Sequence, residues 1–84
     1  MKIVEVTWVD AVIENEHLEM EALSLLAPLV RHNVGYLFWQ DEEKVVLTFG
    51  TINNLFKGVT GYDQASAIPM CMVKDIKVLG EINE

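Results

Sequence analysis

The stretch VGYLFWQDEEKVVLTF, residues 34–49, sets two apolar runs on either side of an acidic turn, QDEEK. In the first run Val34, Tyr36 and Phe38 share one face while Leu37 and Trp39 share the other. A strand apolar on both faces lies at the centre of a sheet or against a partner. In the second run Val45, Leu47 and Phe49 alternate with more polar neighbours, the pattern of a half-buried strand. Together they predict a bent β-hairpin, with strands over about 33–40 and 44–52 and Asp41 in its turn.

Upstream, KIVEVTWVDAVI (2–13) reads as a strand in which Val4, Val6 and Trp8 share a face. Val9, Ala11 and Ile13 then take the opposite phase. A β-bulge produces such a switch, which places a bend at Asp10. In NEHLEMEALSLLAPL (15–29), Asn15 suits an N-cap and Glu16 and Glu19 suit a first helical turn. Leu18, Ala22, Leu25, Leu26 and Leu29 follow helical spacing, and Pro28 stops the helix near Ala27. A short amphipathic helix over about 16–27 is expected to pack on a sheet or close a barrel end.

Downstream, GTINNLFKGVTGYDQ (50–64) has three glycines and two asparagines, a loop signal that extends the hairpin. ASAI belongs to a strand over about 63–69 that Pro69 ends, since proline donates nothing to a ladder. PMCM makes a tight turn. VKDIKVL supplies a last strand over 73–79, with Val73, Ile76 and Val78 as its apolar contributors, Val78 pointing inward and Lys77 lying on the other face. The expected fold is all-β with one short helix: a single domain, 1–84, built as a five-stranded, strongly bent antiparallel small barrel.

Eighty-four residues hold one core, and a chain of this size buries only about 60–65% of its unfolded surface. Cys71 is the single cysteine, so no disulfide adds stability. A lone thiol fits a reducing, cytoplasmic setting, and no apolar run reaches the length of a membrane span. The composition is 51% hydrophobic, a surplus that points to homo-oligomerisation. Thirteen acids against six bases give a net charge of −7. Lys2, Arg31, Lys44, Lys57, Lys74 and Lys77 are scattered, and no two adjoin. Nucleic acids and anionic lipid both draw affinity from clustered cations, so neither is favoured as a partner.

The residues that could carry chemistry have simpler uses. Glu14, Glu16, His17, Glu19 and Glu21 suggest a metal cluster, with His17 and Glu21 one helical turn apart. No second histidine stands at ligand spacing, and acids in a first turn suit the helix dipole, so a solvated face accounts for them. His32 has neither nucleophile nor orienting carboxylate beside it in sequence. Cys71 lies between two methionines rather than beside cations and reads as buried filler. Asp10 and Asp41 read as a bulge and a turn aspartate, not as paired acid–base carboxylates. Trp8, Tyr36, Phe38 and Trp39 read as core or subunit interface. Phe56 and Tyr62, in the glycine-containing segment, serve either as contact anchors for a partner or as cover for a barrel end. There is no phosphate-cradling glycine loop, zinc spacing or nucleophile elbow. No catalytic residue, metal or cofactor is expected.

Residues 34–79, with the first strand, resemble the Sm-like family. VGYLFWQDEEKVVL is similar to its first motif: apolar, glycine, apolar, then an aspartate at a turn and an apolar strand. AIPMCMVKDIKVL resembles the second, two apolar strands about a short corner. The short, acidic form with TWVDA near its start looks like phage-encoded members, which act in the host cytoplasm. The resemblance implies an SH3-like small barrel and a homo-oligomeric ring, in which a strand at about 64–68 pairs with a neighbour's last strand at 73–79. Ala67, Ile68, Ile76, Lys77 and Val78 would form that interface. Asp41, Lys44, Phe56, Tyr62 and Met70 would face a protein partner or RNA. RNA-binding members carry an asparagine just after the turn aspartate, where this chain has Lys44 or Val45. They carry a cation and then a glycine in the second motif, where this chain has Pro69 and Met70. The expectation is a non-enzymatic ring module that binds protein or serves as an adaptor, with RNA binding lost or altered; the alternative is an RNA-binding ring with non-standard recognition residues.

Overall fold

The alternation at the start of the chain does what its pattern asks: Val4 and Val6 are fully buried, and Trp8 packs beside them. They lie on β1, Lys2–Asp10, in a computed structural model that describes residues 1–11, 17–54 and 57–82. A one-turn helix follows, α1 (Met20–Ser24), then β2 (Leu29–Gln40), β3 (Lys44–Thr48), β4 (Gly50–Asn54), β5 (Val59–Asp63) and β6 (Ser66–Pro69). A 3-10 turn, Met70–Met72, leads into β7, Val73–Glu81. Five strands form one antiparallel sheet in the order β6–β3–β2–β1–β7, and β4 and β5 form a separate two-stranded sheet.

Among the described residues the buried apolar side chains are Val4 and Val6 on β1, Val45 and Leu47 on β3, and Ile68 on β6. Trp8, Leu37, Met70, Val73 and Ile76 pack against them. In a flat sheet β1 and β6 would stand three strand spacings apart, about 14 Å. Their shared core therefore requires the sheet to curl over its own face. Register shifts supply the bends, between Ile3 and Val4 and between Thr7 and Trp8 on the β7 side, and between Leu37 and Trp39 on the β3 side. Bulges bend and twist strands in this way. The curl stops short of closure: β6 and β7 remain the two edges of the sheet.

Gly35 sits where the backbone of β2 passes close to that of β3. It pairs with Val4, and a Cβ there would come within 2.8 Å of the Thr48 carbonyl oxygen and 3.4 Å of Leu47 Cβ. The turn after β2 is held by Asp41, whose Oδ1 accepts the backbone N–H groups of Glu43 and Lys44 at 2.8 and 2.9 Å. The proline corner forms as expected: Pro69 faces Lys44 at the end of β6, and the Met70 N–H donates to the Glu43 carbonyl at 2.8 Å.

Several expectations need correction. The helix is five residues long rather than twelve and buries none of them. The proposed N-cap, Asn15, lies outside the described residues, as do Ile13 at the end of the expected first strand and Phe56. Strand β2 begins at Leu29, since Val9 and Asp10 continue the ladder to Val30 and Leu29. The bulges on β1 fall before Val4 and before Trp8, not at Asp10, which forms an ion pair with Arg31 at 2.7 Å. The expected strand 44–52 breaks at Phe49, whose N–H donates to Asp63. That break turns Thr48 inward and leaves Phe49 54% exposed. Cys71 is exposed, not buried filler. Val78 lies opposite Val4 in register, yet is 54% exposed because β7 is an edge with no strand beyond it.

Candidate functional site

The residues singled out as partner contacts fall into two places. Asp41, Lys44 and Met70 gather at one end of the sheet, where the β2–β3 turn meets the proline corner. Trp39 Nε1 donates to Asp41 Oδ2 at 2.7 Å, and this bond, with the Glu43 and Lys44 amides, holds the Asp41 carboxyl below its ordinary range. The three hydrogen bonds of Asp41 thus all come from residues of its own turn. Met70 is partly buried against the core. Tyr62 lies elsewhere, on the β4–β5 hairpin, with its ring 4.8 Å from that of Phe38 and tilted by 58°.

Asp10 and Asp41 stand at opposite ends of β2, beside Leu29 and after Gln40, so they form no carboxylate pair. His32 shares a hydrogen bond with Thr7 Oγ1 at 3.0 Å and is exposed within β2. His17 is exposed, and among the described residues no three histidine, cysteine or acidic side chains cluster as metal ligands do. The Trp8 indole N–H donates to Asn33 at 2.8 Å, which fixes the partly buried ring on the core.

The five residues expected at a subunit contact lie on both edges of the sheet. Ala67 is exposed on β6 while Ile68 beside it is buried. On β7, Ile76 packs on the core, and Lys77 and Val78 are exposed. No single site unites them within one chain. Beside β7 a shallow cleft of about 380 Å³ is lined mainly by Val9, Ala11, Pro28, Met72 and Val73, with Cys71 and Lys74 at its side.

Sequence reasoning missed how much apolar surface stays uncovered. Phe38, Trp39, Phe49, Ile52 and Val59 are all exposed, as are the leucines of the α1 region. The register shift between Leu37 and Trp39 rotates the end of β2 outward, and nothing in the letters YLFW marks a bulge. The accessible surface is 6664 Å², against about 5,000 Å² for a compact monomer of 9.5 kDa. The radius of gyration is 17.3 Å and the longest dimension 59 Å, where a compact chain of 84 residues has a radius near 12 Å. Among the described residues no helix is long and apolar enough to cross a membrane. No protein-family model, curated protein or solved structure matches the chain.

Proposed function

We propose that this chain is a non-enzymatic, self-assembling module of Sm-like type, a homo-oligomeric ring that binds a protein partner or serves as a structural adaptor. One observation carries the reading: a single curled sheet ends in two unpaired edges, β6 and β7, and the chain exposes about 1,600 Å² beyond a compact fold. Two standard subunit patches of about 800 Å² each account for that excess. Exposed edges invite pairing, and a head-to-tail contact of β7 with the next copy's β6 uses both up. The reading is supported by a five-stranded antiparallel sheet in the order β6–β3–β2–β1–β7 with a 3-10 corner before its last strand.

RNA recognition is not part of this reading. Pro69 is taken up in the ladder to Lys44 and Met70 packs on the core, so neither offers the stacking or hydrogen bonds that RNA binding uses.

Removal of backbone donors along β7 tests the pairing. In an edge strand alternate N–H groups point to β1 and to the outside. A proline at each position of 75–79 should therefore give alternating outcomes: folded monomer where the outward donor is lost, unfolded chain where the β1 bond is lost. Oligomers of unchanged mass from every variant would place the contact away from β7.

A further inference from the structure

The β4–β5 hairpin forms a sheet apart from the five-stranded one, and the ring of Tyr62 on one of its faces meets Phe38 of β2. A lone two-stranded hairpin is at best marginally stable in water. Its ladder pairs Ile52 with Gly61 and Thr51 with Tyr62, so its faces differ. One carries Thr51, Asn53, Thr60 and Tyr62, tied by the Tyr62–Phe38 contact and a Thr60–Asn53 hydrogen bond of 3.1 Å. The other presents Ile52 and Val59, each 57% exposed, with Gly61 leaving the surface flat between the strands and Asp63 at the end near the sheet.

A second element is equally unsupported. Helix α1 is a single turn with no side-chain cap and no buried residue, far below the length at which a helix persists alone. Met20 is 84% exposed, and Leu23, Leu26 and Leu29 are open beside it. Two small elements, each apolar on a free face and each too short to stand unaided, complement one another.

We infer that the β4–β5 hairpin is an assembly arm, whose Ile52–Val59 face lies on the α1 region, Met20 to Leu29, of an adjacent copy of this chain. The arm rests on the self-assembly proposed above and adds to edge pairing a second contact between copies. Charge favours a second copy as the occupant. The chain carries −7, so like surfaces repel, but residues 50–63 hold one lysine and one aspartate and are neutral. A neutral apolar arm lets an acidic chain meet itself. The arm's face belongs to the same surplus of about 1,600 Å², so edge and arm together make up the two subunit patches that this excess supplies.

The test places a photo-cross-linking benzophenone side chain at the exposed position 52 and maps the adducts after irradiation. Adducts joining two copies at residues 20–29 are expected. Adducts to other regions, or none from a protein whose mass is that of an oligomer, would overturn the arm and leave edge pairing standing. A monomeric wild type would overturn both. Ile52→Lys supplies the second readout: β-sheet circular dichroism should be retained, and dissociation should appear at a concentration at least tenfold higher than in the wild type. Unchanged association would count against the arm, because the variant's fold does not depend on Ile52.

Discussion

Gly35 is the residue on which the curl of the sheet depends. Its Cα passes so close to the β3 backbone that any Cβ would press on the Thr48 carbonyl at 2.8 Å, and a backbone atom cannot swing aside as a side-chain tip can. Gly35→Ala should lower the stability of the protein by about 1–3 kcal/mol, the usual cost of overpacking, read as a reduced urea midpoint. An unchanged midpoint would mean that β2 and β3 separate there without penalty. Asp41 works at the same scale through charge. Its folded-state carboxyl is held low, first by the Trp39 indole and then by the Glu43 and Lys44 amides. A depressed carboxyl stabilises the fold above the unfolded group's ordinary value, and that contribution is lost as pH falls through the folded value. The gap in urea midpoint between wild type and Asp41→Asn should therefore be present at neutral pH and shrink in acid. A gap of constant size across that range would show that geometry alone, not charge, makes the turn.

At the scale of elements, period-two alternation was a sound guide wherever it faced the core. Val4, Val6 and Trp8 on β1, and Val45 and Leu47 on β3, behave as their spacing asks. Pro69 marked its corner because a missing N–H has one local meaning. The glycine-containing segment 50–64 reads as a loop that extends a hairpin, whereas it holds two short strands, β4 and β5, that form a sheet of their own. What letters could not give were the changes of phase at Phe38 and Phe49. These follow from ladder register and from the pull of Asp63 on the Phe49 N–H, both set by distant strands. The helix failed for a related reason. Its leucine spacing is real, but amphipathic pattern states that a face is to be buried, not that the same chain supplies the cover. The candidate contacts were legible in part: Lys44 and Met70 do converge, through a hairpin and a corner visible in sequence, whereas the exposure of Cys71 and Val78 depends on which strand forms the sheet edge.

The whole molecule shows the consequence. Among the described residues five buried apolar side chains form a small core for a chain that is 51% hydrophobic, and with one cysteine it has no internal disulfide to supplement it. The apolar residues that the core does not take are spread over α1, the arm and the edge of β7, and the molecule is 59 Å long. The proposed assembly of copies would account for the small core, the open edges and the surplus surface together. The direct measurement is the mass in solution, by light scattering behind size exclusion at about 10 μM, where an obligate ring persists. A mass several times that of the 9.5 kDa chain is the predicted result. A folded monomer of 9.5 kDa at that concentration would contradict the account.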